Sequence, residues 1–337
     1  MASTHRRWVF VRRPEGMPTG AEFRLEEVPT PDPDPGQILV RTRWISVDPY
    51  MRGRMRAGPS YAPPWEVGEV PRGGAVGEVV ASRRPGFAPG DVVVGTWGWE
   101  EMARLDGHGL TRWPWPDLSP TLGLGMLGMP GLTAYFGLFE VGRPRPGDTV
   151  VVSAAAGAVG SVVGQLARLA GCRAVGIAGS AEKVAFVRDV LRFDAAVSYQ
   201  DPQWTAALEA ACPDGVDVYF DNVGGSVTEA VMDRLALRAR VVVCGQIARY
   251  NQEGPAPVTR DWLWQTIAKR IRVEGFLVGD FALRHAEALE RLAAWVRSGR
   301  LVGRETVVEG FERVPEALLG LFRGTNVGKQ LVRVAGS

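Results

Sequence analysis

Hydrophobic and polar residues alternate through the first third of the chain, and then the period changes. Runs at Arg7 to Arg12, Phe23 to Val28, Ile38 to Ser46, Gly73 to Ser82 and Asp91 to Thr96 alternate as strands do. Between them lie segments that forbid regular structure, such as TPDPDPG at 30–36. Interleaved glycines and valines are what a small, strongly twisted barrel needs. From Leu122 the composition shifts to Gly, Met and Leu, and Met129 to Tyr135 begins an apolar helix.

Strands and helices then take turns. Thr149 to Val152 reads as a buried strand, and Val159, Val162, Val163, Leu166, Leu169 and Ala170 share one face of a helix that Gly171 ends. Further strands are expected at Arg173 to Ala178, Ala196 to Tyr199, Val216 to Asp221, Arg240 to Cys244 and Ile271 to Val278. Helices are expected at Ala181 to Val190, Gln203 to Ala211, Ser226 to Leu237, Asp261 to Arg270 and Ala282 to Ser298. Six strands alternating with helices make a doubly wound parallel sheet, an α/β fold. The tail returns to strands at Thr306 to Val308 and Gln330 to Val334, around an amphipathic Phe311 to Phe322. A finished six-stranded sheet has no slot for them. They are assigned to the first domain, which gives a catalytic domain of 1–123 with 301–337 and a nucleotide domain of 124–300.

The candidate chemistry begins between the first two strands of that sheet. Ala154-Ala155-Ala156-Gly157-Ala158-Val159-Gly160 is a turn of small residues leading into a helix. Strand, bare turn, helix, strand is the dinucleotide-binding unit: the backbone approaches a diphosphate and the helix start offers N–H groups and a positive dipole end. Its third glycine comes at Gly164. An NAD site would place an acid near Gly179 to hold the ribose 2′-hydroxyl. None stands there, and Lys183, one of only three lysines in the chain, follows instead. That favours NADP(H), with Lys183 on the 2′-phosphate. Ligands of such sheets sit at the carboxyl ends of the strands, which singles out Asn222, Gly245, Gln246 and the segment Phe276, Leu277 and Val278.

Composition narrows the rest. Apolar content of 46% and charge of 23% are those of a soluble globular chain, and a net charge of +2 gives no reason to expect nucleic acid. No apolar run nears the ~20 residues of a membrane span, and the N-terminus lacks a signal core, so the cytoplasm is the expected setting. Three cysteines and three histidines show no ligand spacing, so no metal site is expected. Trp97, Trp99, Trp113 and Trp115 read as core or rim packing, with a substrate pocket the lesser alternative.

Long motifs carry a family likeness. VDPYMR (47–52), MPGLTAYFGL (129–138), AAAGAVGSVVGQLA (154–167), YFDNVGG (219–225), CGQIARYN (244–251) and GTNVGKQLV (324–332) span nearly the whole chain. Together they resemble the zinc-independent medium-chain dehydrogenase/reductases, in the leukotriene B4 dehydrogenase/prostaglandin reductase and alkenal double-bond reductase branch. The resemblance implies a GroES-like barrel domain beside a Rossmann domain, a homodimer, and NADPH-dependent reduction of the C=C bond of enones and enals. It implies a phosphate turn at Gly157, Ala158, Val159 and Gly160, with Lys183 and Tyr199 on the 2′-phosphate. Further cofactor contacts are implied at Asn222, Cys244, Gly245, Gln246, Ile247, Tyr250, Phe276, Leu277, Val278 and Asn326, with Tyr250 and Tyr50 facing nicotinamide and substrate. Two departures stand out. Arg192 occupies a helix end where the family usually has glycine, and the stretch 97–116 is rich in Trp and Pro. A quinone reductase and a non-catalytic nucleotide-binding protein are the alternatives.

Overall fold

In the computed structural model, which describes residues 3–58, 60–252, 254 and 262–334, the chain forms two units. Unit 1 takes Met1–Leu124, Glu305–Asn326 and Gln330–Ser337, and unit 2 takes Gly125–Arg304 and Val327–Lys329.

Unit 1 begins with an antiparallel pair, β1 (Thr4–Phe10) and β2 (Phe23–Pro29). β1 starts and ends earlier than its periodicity suggests, because pairing runs from Thr4 opposite Pro29 to Phe10 opposite Phe23. β3 (Ile38–Ser46), β4 (Arg72–Ser82), β5 (Val92–Gly98), β6 (Met102–Leu105) and β7 (Thr111–Arg112) follow, with one helical turn, α1 (Met51–Arg54), after β3. β3 pairs antiparallel with β4 and β4 with β5, and the β3–β4 register shifts twice, as strong twist requires. Aromatic rings fill the core. Trp99 lies 5.3 Å from Phe23 and 5.5 Å from Trp65, centroid to centroid. The Trp97 indole donates to Thr42 Oγ1 at 2.9 Å, and Trp113 meets Trp115 edge-on at 5.0 Å. The tryptophan-rich stretch is therefore largely packing.

Unit 2 carries α2 (Met129–Phe136) and then β8 (Thr149–Ser153), α3 (Gly160–Leu169), β9 (Arg173–Ala178), α4 (Ala181–Ala185) and β10 (Ala195–Ser198). The second half runs α5 (Trp204–Ala211), β11 (Val216–Asp221), α6 (Gly225–Met232), β12 (Leu235–Val243), α7 (Leu263–Lys269), β13 (Arg272–Gly275) and α8 (His285–Arg297). All six strands are parallel, in the order β10-β9-β8-β11-β12-β13. This is the 3-2-1-4-5-6 order of Rossmann dinucleotide sheets. Its core strands are apolar on both faces, and all of β8 is buried.

Local chemistry moves several boundaries. Asp261, the first residue of one expected helix, lies outside the described residues. α6 stops at Met232 because Leu235 already pairs with Val216, and Arg238 bulges at φ +63°. β13 stops at Gly275 because the Asp280 carboxylate accepts from Leu277 N at 3.0 Å and turns the chain into a short helical segment. Arg192 takes φ +61°, so the left-handed position that glycine usually fills is held by arginine, at a cost of roughly 1–2 kcal/mol.

The chain ends with β14 (Glu305–Glu309), α9 (Val314–Arg323) and β15 (Lys329–Arg333). These complete a seven-stranded sheet of order β14-β15-β3-β4-β5-β7, with β6 also on β3. The result is an α/β fold made of a GroES-like barrel unit and a Rossmann unit. Three tail residues belong to unit 2: Gly328 N donates to Ala156 O at 2.7 Å, and Lys329 N donates to Arg304 O at 2.9 Å.

Candidate active site

The turn after β8 is shaped by close approach. Ala154, not a glycine, takes the left-handed conformation, at φ +48°. Gly157 N donates to Ala154 O at 2.9 Å. A Cβ on Gly160 would lie 2.4 Å from the same carbonyl, so any side chain there forces the turn open. Val159 precedes α3 with no side-chain cap, and Ala158 and Val159 N–H have no hydrogen-bond partner among the described residues. Neighbouring helix starts differ. The Ser180 hydroxyl accepts from Lys183 N at the start of α4, whereas the Asp221 carboxylate takes Val223 N and Gly224 N ahead of α6 and leaves that helix without a side-chain cap. An uncapped, partly exposed helix start with bare approach is suited to a diphosphate.

Asp221, at the carboxyl end of β11, organises the centre. Its Oδ1 accepts from Ser153 Oγ at 3.1 Å, Tyr219 Oη at 2.9 Å, Val223 N at 2.9 Å and Gly224 N at 3.0 Å. Its Oδ2 accepts from Thr228 Oγ1 at 2.7 Å. Burial and the Asp221 charge push the Tyr219 phenol well above its ordinary pKa, so it stays a donor. Asn222 ties this end to β8: its N–H donates to Ser153 Oγ and its amide to Ser153 O, both at 2.8 Å.

The loop after β12 runs alongside. Cys244 N and Gly245 N both donate to Asp221 O, at 2.9 and 3.1 Å, Ile247 N donates to Asn222 O at 3.3 Å, and Ala248 N to Val223 O at 3.0 Å. Gln246 lies exposed within this run. Tyr250 then folds back, placing its hydroxyl 3.2 Å from where a Cβ on Gly245 would stand. Burial, with Asp221 nearby, pushes the Cys244 thiol up to about 12.

At the other end, the Tyr199 phenol covers Gly179, where an added Cβ would come within 2.6 Å of its oxygen. Lys183 is half-buried in the first turn of α4, and burial lowers its pKa against the raising effect of Glu182. Phe276 meets Phe220 edge-on at 6.5 Å, and a Cβ on Gly137 would strike its ring at 2.5 Å. Phe276 therefore packs the core, while Leu277 is exposed and Val278 O accepts from His285 Nε2 at 3.0 Å.

Gly157 to Gly160, Asn222, Cys244 to Ile247, Tyr250 and Phe276 to Val278 thus gather at the carboxyl ends of β8, β11, β12 and β13. Lys183 and Tyr199 stand at the ends of β9 and β10. Tyr50 and Asn326 belong to unit 1. There Tyr50 starts α1 and packs against the aromatic core, and burial, then Asp48, raises its pKa. The organising role of Asp221 and the docking of Gly328 on the turn were not singled out from the sequence. An Asp at a strand end before Asn-x-Gly-Gly was the available signal for the first.

Residues 6–113 match the family described as the N-terminal domain of oxidoreductase, and residues 158–296 the one described as zinc-binding dehydrogenase. Among the described residues no three His, Cys, Asp or Glu side chains converge as a metal site needs. The chain is 43% identical to an NADPH-dependent curcumin reductase of Escherichia coli, over 98% of this chain and 97% of that one. It is 43% identical to a 2-alkenal reductase (NADP(+)-dependent) of Nicotiana tabacum, over 88% and 87%. A crystal structure of CurA in complex with NADPH from Vibrio vulnificus superposes with a TM-score of 0.93 at 41% identity, covering 98% and 100% of the two chains.

Proposed function

Because this chain belongs to the zinc-independent branch of the medium-chain dehydrogenase/reductases, we propose that it reduces the C=C bond of α,β-unsaturated ketones and aldehydes with NADPH. The observation that carries the cofactor is the uncapped start of α3 behind a turn with no room for side chains. In this reading Ala158 and Val159 N–H bind the diphosphate, and Lys183 with Tyr199 binds the 2′-phosphate. Asn222, Cys244 to Ile247, Leu277, Val278 and Asn326 line the remainder. When bound, NADPH supplies the hydride that the substrate β-carbon requires.

The protein's own part is electrostatic and protonic. Negative charge grows on the substrate carbonyl oxygen, and a donor must meet it there. Tyr250 is assigned that role, its hydroxyl held over Gly245 where the strand ends converge. A phenol O–H donates a hydrogen bond without ionising. A proton then reaches the α-carbon from Tyr250 or from water. Tyr50 is the lesser candidate, since its raised pKa makes it a poorer acid.

A panel of enals, enones, quinones and simple aldehydes, followed by NADPH absorbance, tests the proposal. Oxidation with enals and enones is expected. Turnover of quinones alone would instead mark a quinone reductase, and tight NADPH binding with no turnover a non-catalytic binder.

The surface supports a homodimer. Among the described residues β13 pairs only with β12, which leaves its other edge open, and Val273 on it is exposed. Leu263, Trp264 and Ile267 on α7 are 61%, 67% and 68% exposed, an apolar face that a second copy would cover. No helix among the described residues is long and apolar enough to cross a membrane. Trp264→Glu with Ile267→Glu is expected to halve the mass seen by sedimentation. An unchanged mass would remove this face as the interface, and a monomeric parent chain would remove the dimer.

A further inference from the structure

We propose that this fold shields its cysteines and lysines from the electrophiles it reduces, so that reactive enones and enals are turned over without alkylating those residues. The inference rests on the substrate class given above. An enone modifies a protein when a thiolate, amine or imidazole attacks its β-carbon. A new bond forms to that carbon, the C=C pair shifts toward the carbonyl, and a proton settles on the α-carbon. Nothing leaves, so each adduct adds the full mass of the enone.

The chain holds few groups able to attack. There are three cysteines, three histidines and, among 39 lysines and arginines, only three lysines. Arginine stays protonated and offers no lone pair. Of these nine side chains only His108 is exposed, and the N-terminal amine, a tenth nucleophile, lies outside the described residues. Cys172 and Cys212 are buried, Cys172 Sγ donates to Arg145 O at 3.2 Å, and Cys244 is half-buried between the ends of β11 and β12. Burial pushes Cys172 and Cys212 up to about 11 and Cys244 to about 12. Against an ordinary thiol near ~8.5, that lowers the thiolate fraction at neutral pH by about 10²- to 10³-fold or more. His5 and Lys329 are buried. Lys269 Nζ donates to Leu235 O at 2.7 Å, and His285 is half-buried. Lys183 is half-buried and its pKa is lowered, so it is the weakest point. The 2′-phosphate covers it in the working enzyme.

The full chain is incubated with methyl vinyl ketone, with and without NADP+, which cannot reduce the enone. Adducts are located by peptide mass spectrometry. His108 should be modified in both samples, and Lys183 only without NADP+. The three thiols should react at least 100-fold more slowly than in the chain unfolded in guanidinium. Ser298→Cys, at an exposed helix end with no part in the site, sets the rate of a reachable thiol. Any smaller protection of the native thiols, or modification of Lys269 or Lys329 at the unfolded rate, overturns the inference. Failure of the enone panel would remove its premise while leaving these rates as measured, and equal Lys183 modification with NADP+ would count against the cofactor site alone.

Discussion

Tyr250→Phe is expected to lower kcat with an enone about 10²-fold while leaving NADPH affinity within a few-fold. The magnitude is that of removing one donor from a developing oxyanion, about 10²–10³ in kcat. The ring remains, so packing over the loop is kept, and only the hydroxyl near Gly245 is lost. Stopped-flow NADPH oxidation at saturating enone separates the two effects, because KM for NADPH reports the wall and kcat reports the proton donor. An unchanged kcat would make Tyr250 a lid over the cofactor and shift the donor role elsewhere. Tyr50→Phe is the comparison, and its effect should be the smaller.

Lys183→Ala should weaken NADPH by about 10- to 150-fold, from a charge-assisted bond worth roughly 1.5–3 kcal/mol, and leave NADH nearly untouched. Isothermal titration with both nucleotides reads this directly, and equal losses would refute the assignment. The half-buried setting adds a pH dependence. Burial lowers the Lys183 pKa, so the ammonium that pairs with phosphate is complete below that value and is lost as pH rises through it. NADPH affinity of the parent chain should therefore fall toward alkaline pH, and that of Lys183→Ala should not.

Much of this architecture was legible in the chain. The alternation from Thr149 onward named all six parallel strands, since strands buried on both faces read as plain apolar runs. The bare turn, with Lys183 and no acid near Gly179, points to NADP(H) in the sequence itself. What escaped notice is non-local or very short. β6 and β7 span four and two residues, too few to show a period. Asp221 looks like any strand-end acid beside Asn222, yet one of its donors, Ser153, comes from 68 positions earlier. Ala154 takes a conformation that propensity assigns to glycine. Phe276 sat at the right strand end, but its ring is turned into the core by Phe220 and Gly137.

The bond from Gly328 to Ala156 bears on how this protein may be cut. A gene fragment spanning 125–304 contains every strand of the parallel sheet but strips the Ala156 carbonyl of its donor, next to the bend meant for the diphosphate. Cut at those two points, the nucleotide unit loses a backbone bond beside its own glycine turn. A chimera built to borrow it must import a second splice, residues 327–329, from the far end of the polypeptide.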